Sequence, residues 1–161
     1  MKNKGITLLS LLVTILIMLI LTSTIIISYD NIISDVQKRD FAREVYTLRQ
    51  VVLDYEFMNG SYPIKQEISL NLNNIDVASQ SQFSNEPGYE SGSIILNTID
   101  LFKAGVDRLN RGTKDLGDDD YYAFSTATKT IYYIKGQKAG DNTYYTLTEE
   151  LYKLIDIKDV E

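Results

Sequence analysis

The stretch Ile6–Ser28 reads ITLLSLLVTILIMLILTSTIIIS, and how it is interpreted decides the fold. It carries no charged residue, and most positions are Ile, Leu, Val or Met. As a helix it would extend ~34 Å at a rise of ~1.5 Å per residue, against ~30 Å for the hydrocarbon core of a bilayer. Lys2 and Lys4 precede it, and Asp30 and Asp35 follow. Because positive charge is retained in the cytoplasm, the spacing predicts a membrane-spanning helix with its N-terminus inside and the rest outside. A secretory signal peptide competes with this reading, but the run exceeds a signal core and no clear small-x-small cleavage pattern follows. The hydroxyls of Thr7, Ser10, Thr14, Thr22, Ser23 and Thr24 are expected to bond back to helix carbonyls.

Outward from this stretch, neither Gly nor Pro occurs between Ile6 and Asn59. Phe41, Val45, Leu48, Val52 and Tyr55 keep a helical spacing, and Tyr29, Ile33 and Val36 extend the stripe backwards. The pattern predicts one buried face on a helix continuing to about Met58, with Asp40, Arg43, Glu44, Arg49, Asp54 and Glu56 on its solvated remainder. Asn59-Gly60 supplies a stop and Pro63 prevents resumption. A coiled-coil dimer is the simpler way to hide the stripe, but sustained flanking charge pairs are missing.

Composition narrows the chemistry. The chain has 161 residues, a net charge of -6 and neither His nor Cys. Disulfides, Cys/His zinc sites, a Cys nucleophile and an imidazole base are therefore excluded. Tyr supplies 12 residues against 5 Phe and no Trp, which focuses the aromatic signal. Tyr121–Ser125 and Thr130–Ile134 read as a hairpin, separated by Ala127-Thr128-Lys129, and Tyr144–Leu147 reads as a third strand after a turn over 136–142. Neighbouring strand residues face opposite sides, so one tyrosine of each Tyr-Tyr pair should pack on the helix and the other stand outside. Residues 61–100 read as largely loop, with a short strand at Ile94–Leu96. Leu101, Val106 and Leu109 suggest one face of a short helix closed by Gly112, and Thr148 with Glu149 and Glu150 suggests a helix start before Leu151, Leu154 and Ile155. The expected fold is α+β: a long N-terminal helix, half membrane-spanning and half amphipathic, packed on a small antiparallel β-sheet head. The expected division is 1–5 leader, 6–28 transmembrane helix, 29–58 amphipathic continuation and 59–161 globular head.

Lys4-Gly5-Ile6-Thr7-Leu8-Leu9 resembles the prepilin signature of the type IV pilin and type II secretion pseudopilin superfamily. Asn59-Gly60-Ser61-Tyr62-Pro63 is similar to the turn that ends the long helix in many pseudopilins, and the Tyr-rich hairpin running into Lys135-Gly136 resembles Gram-positive pilin-like proteins. The resemblance implies cleavage between Gly5 and Ile6 by a prepilin peptidase and methylation of the new N-terminus at Ile6. Losing Lys2 and Lys4 leaves 14 basic against 22 acidic residues, a mature charge of -8. It further implies a non-catalytic filament subunit of a secretion, competence or pilus machine. Its partners would be other pilin-like subunits, an assembly platform protein, an ATPase and membrane lipid. The location implied is the cell membrane, single-pass, and then an extracellular filament. One position departs from the pattern: the family usually carries Glu at the fifth mature residue, and here that residue is Ser10. A hydroxyl cannot neutralise a neighbouring ammonium as a carboxylate does in low dielectric, which points to a minor or tip subunit.

Alternative functions are an uncleaved single-pass membrane protein with an extracellular binding head, and an enzyme. For the latter, the consecutive carboxylates Asp118, Asp119 and Asp120 do not converge on a substrate. Calcium binding in the head of major pseudopilins directs attention to Asp118, Asp119, Asp120, Asp141 and Asn142, whose oxygens suit Ca²⁺, although a solvated turn accounts for the same residues. Lys103, Arg108, Arg111 and Lys114 form a small basic cluster, with Lys135 and Lys138 a second. On an acidic chain these read as ordinary surface charges, not a DNA site.

Overall fold

The computed structural model describes residues 3–107, 109, 111–112 and 119–155, with side chains of 3–9, 21 and 23–31 outside the description. Helix α1 runs Asn3–Asn59. It stops as its sequence directs: Gly60 takes a left-handed φ of 69°, its N–H donates to the Glu56 carbonyl at 2.8 Å, and Asn59 Nδ2 donates to the Tyr55 carbonyl at 2.9 Å.

The expected membrane-spanning half is corrected here. Among the described residues no helix is long and apolar enough to cross a membrane. The apolar side chains that are described run from Leu11 to Ile20. From Asp35 onward, Lys38, Arg39 and Asp40 interrupt any apolar run. The fold is α+β with a four-stranded antiparallel sheet.

The sheet has the order β1-β2-β3-β4, formed by Ile64–Asn71, Ser93–Ile99, Tyr122–Ser125 and Thr130–Tyr133. Strand β1 lies where loop was expected. Its Ile68 and Leu70 alternate with polar residues, but Lys65-Gln66-Glu67 masks that signal. The β1–β2 pairing slips by one residue between Ile64 and Gln66, a bulge at the start of the strand. The expected third strand of the meander is also revised: Asn142–Tyr144 (β6) pairs with Gln137–Ala139 (β5) in a separate two-stranded ribbon. No helix forms over Leu101–Leu109 among the described residues. Gly105 at φ 75° ends a tight turn closed by the Val106 N–H on the Leu101 carbonyl. Between β1 and β2 lies a one-turn helix α2, Val77–Gln80, and the C-terminal helix α3 is as short, Glu149–Tyr152, beginning at Thr148, whose hydroxyl accepts the Leu151 N–H.

Both faces of the sheet are covered. On one, Phe41, Ala42, Val45, Leu48 and Val52 of α1 pack with Tyr122, Phe124, Ile131 and Tyr133. On the other, Leu72, Ile75 and Phe83 from the segment between β1 and β2 pack with Ile94, Leu96, Ala123 and Tyr132. The tyrosine expectation is therefore half corrected. Tyr122 and Tyr133 face the helix, while Tyr132 turns the other way and is buried too, its ring stacked on Phe83 with centroids 4.7 Å apart. A sheet with two apolar faces needs a second layer, and the loop-like 72–92 segment supplies it.

Candidate functional site

Along α1 the described side chains of Leu11–Ile20 are exposed, and those around Phe41–Val52 are buried in the head. Leu11–Ile20 are all exposed, Leu19 by 65% and Leu16 by 51%, whereas Phe41, Ala42 and Val52 are fully buried. Contiguous exposed aliphatic residues on a helix mark a surface made to be covered. The hydroxyls there are absorbed locally, Thr14 Oγ1 donating to the Ser10 carbonyl and Thr22 Oγ1 to the Met18 carbonyl, each at 2.7 Å. Ser10 is exposed. Gly5 and Ile6 lie within the bounds of α1, and their side chains are outside the description.

Where the helix enters the head, the ribbon and α3 grip it. Lys38 Nζ donates to Glu150 Oε1 at 3.0 Å, and the Tyr144 hydroxyl donates to Glu150 Oε2 at 3.0 Å. The hydrogen bond to Glu150 holds Lys38 above its ordinary range, and the same bond holds Glu150 below the usual carboxylate range.

Deeper in the head, Glu44 is buried, although helical spacing placed it on the solvated side. It lies three residues after Phe41 and four before Leu48, so it falls within the apolar stripe; that spacing was the available signal. Arg111 answers it twice, through its N–H to Oε1 at 3.1 Å and its guanidinium to Oε2 at 2.7 Å, and Arg111 Nε donates to Gln137 at 2.6 Å. Thus one member of the expected basic cluster is internal; Arg108 and Lys114 lie outside the described residues. Beside the pair the Tyr122 hydroxyl is buried with no partner at full hydrogen-bond geometry among the described residues, and burial first, then the Glu44 charge, pushes it up. Gly112 is required here, since a Cβ would come within 2.3 Å of the Tyr122 ring.

The described acidic members of the expected calcium set, Asp119, Asp120 and Asp141, are not gathered into one metal-holding group. Asp120 Oδ1 accepts the Gly112 N–H and the Tyr133 hydroxyl, both at 2.8 Å. Asp119 is exposed at φ 55°, and Asp118 lies outside the described residues. Asp141 and Asn142 sit on the β5–β6 turn, beside a 360 Å³ cleft with Asp76, Glu149 and Glu150. Among the described residues no group of three or more acidic side chains is gathered so as to hold a metal ion.

Sequence reasoning also missed Glu86, buried in the 72–92 layer. Its carboxylate accepts hydroxyls from Ser125 at 2.6 Å, Tyr132 at 2.8 Å and Thr128. This cage ties the loop layer to the β3–β4 hairpin. Nothing in local sequence signals it, because Asn85-Glu86-Pro87-Gly88 has the composition of an ordinary turn. Both buried carboxylates are engaged in holding the head together. Among the described residues the longest contiguous run of exposed aliphatic side chains is Leu11–Ile20 of α1, broken only by Thr14.

Comparison with protein-family profiles, characterised proteins and solved structures finds no match.

Proposed function

We propose that the chain is a pilin-like subunit of a secretion, competence or type IV pilus filament, processed by a prepilin peptidase and structural in role. The observation that carries the reading is the contrast along α1 between the exposed aliphatic stretch Leu11–Ile20 and the stripe from Phe41 to Val52 buried in the head. The sequence supports it with a basic leader, Gly5 and an apolar residue at Ile6. In this reading the head folds on its own core, and the aliphatic half is covered by like halves of neighbouring subunits. Assembly then draws on burial of apolar surface, worth roughly 25 cal/mol per Å² removed from water. Before assembly the N-terminal segment attaches the protein to the cell membrane with the head extracytoplasmic, and assembly moves it into an extracellular filament. The partners are the peptidase, other pilin-like subunits, a platform protein and an ATPase. Ser10 in place of a carboxylate favours a minor or tip position.

The test is the mass of the N-terminal peptide of the protein taken from its own cells. A peptide beginning at a methylated Ile6 supports the proposal. One beginning at Met1 contradicts it and favours an uncleaved membrane-attached binding head.

A further inference from the structure

Strand β1 is the longest in the described structure and pairs on one side only. The opposite edge of the sheet, β4, is already guarded: the Tyr133 N–H donates to the Tyr145 carbonyl at 2.7 Å, and the Thr146 hydroxyl donates to the Ile131 carbonyl at 2.7 Å. No such cover lies against β1 among the described residues, and Lys65, Gln66, Glu67, Ser69 and Asn71 are exposed. An open edge presents unpaired N–H and C=O groups to any extended chain.

Which groups point outward follows from the pairing. The N–H groups of Gln66 and Leu72 turn inward, to Thr98 Oγ1 at 3.1 Å and the Gly92 carbonyl at 2.8 Å. Alternation then turns the backbone groups of Glu67, Ser69 and Asn71 outward. Antiparallel pairing of two copies must set these residues opposite one another, and side-chain charge together with the length of strand kept in register selects among the registers, since centring on Ser69 or Leu70 pairs only residues 67–71 or 69–71. Centring on Glu67 opposes two carboxylates, which is unfavourable. Centring on Gln66 uses three residues before the bulge after Ile64 intervenes. Centring on Ile68 keeps Lys65–Asn71 in register throughout. It sets Glu67 against Ser69 and Lys65 against Asn71, with no like charges opposed, and it brings Ile68 against its own copy. Ile68 and Leu70 are half-buried at the rim of the second core, so a partner strand would cover the apolar surface they leave open.

The geometry points to β1 as a two-fold pairing edge, joining the heads of two copies antiparallel about Ile68 into one eight-stranded sheet. The inference is independent of the filament proposal, because a two-fold contact closes on itself and cannot propagate a helical polymer.

The chain has no Cys, so single-cysteine variants give an unambiguous reading. Full-length protein in detergent is oxidised as Ile68→Cys, with Thr126→Cys, on the exposed β3–β4 turn, as control. Facing cysteines at a central non-hydrogen-bonded pair see a high effective concentration, so Ile68→Cys should give at least ~10-fold more covalent dimer than the control. Ser69→Pro removes one outward N–H and should abolish dimer seen by light scattering, with the head's melting temperature retained. Equal cross-linking of the two cysteine variants overturns the inference. So does association that survives Ser69→Pro, since it would then run through the apolar half of α1.

Discussion

The two halves of α1 share one helix and nearly the same aliphatic vocabulary, yet one is buried and the other bare. Between Phe41 and Val52 apolar residues occupy a stripe, and charged residues such as Arg43 occupy the rest, so one face meets the sheet and the other meets water. Between Leu11 and Ile20 apolar residues surround the helix, and all are exposed. A stripe specifies one partner surface with one orientation. An all-round apolar helix asks only to be surrounded, which suits lipid or several like helices. The difference teaches that the head carries its own stability, while the bare half adds none to the isolated subunit.

The largest expected effect breaks that comparison if it fails. Phe41→Ala should cost the head about 3–5 kcal/mol, as for other buried aromatic truncations, whereas Leu16→Ala should leave its melting curve in detergent unchanged. Equal losses would mean that the halves are not energetically separate. Arg111→Ala follows at about 3 kcal/mol, because it leaves Glu44 buried and unpaired; replacing both by leucine should recover much of the loss. Glu86→Ala should weaken the head by about 2 kcal/mol by removing the acceptor of the Ser125 and Tyr132 hydroxyls, Thr128 keeping Thr130 as a partner, and Glu86→Gln by less, since the amide oxygen still accepts.

A pH series sharpens the picture of the head. Burial, then the neighbouring carboxylates, hold Tyr122, Tyr132 and Tyr133 well above the ordinary phenol value of 10.0. Raised folded values favour the protonated form. Their contribution is therefore fully present below pH 10 and declines as pH rises beyond it. Absorbance titration should show these three phenols ionising only as the head unfolds, and free titration near pH 10 would contradict their burial. The smallest effect belongs to the neck. Lys38→Ala should cost no more than ~1 kcal/mol and matter less in high salt, because Glu150 is largely exposed. The stabilisation from Glu150, whose folded value is lowered, is present above the usual carboxylate range and lost on acidification. That from Lys38, raised, is lost only in strong alkali.

Legibility followed the range of the interaction. The helix stop at Asn59-Gly60, the Tyr-rich hairpin and the Thr148 cap were readable, because each is local chemistry within a few residues. The membrane-spanning half was not upheld, since among the described residues no helix is long and apolar enough to cross a membrane. Strand β1 was hidden by Lys65-Gln66-Glu67, as an edge strand needs little apolar surface. The loop layer over Tyr132, and the buried roles of Glu44 and Glu86, depend on partners such as Arg111 and Ser125 far along the chain, and no local pattern carries them. Of the proposed calcium donors, Asp120 is committed to Gly112 and Tyr133, a pairing that its acidic neighbours obscured.

The most direct measurement is filament incorporation of Leu16→Asp in cells that make the protein, read alongside the head's melting curve. The account predicts a head that melts like the wild type and a subunit that no longer appears in sheared extracellular filaments. Incorporation at the wild-type level would show that the bare half of α1 is not the assembly surface.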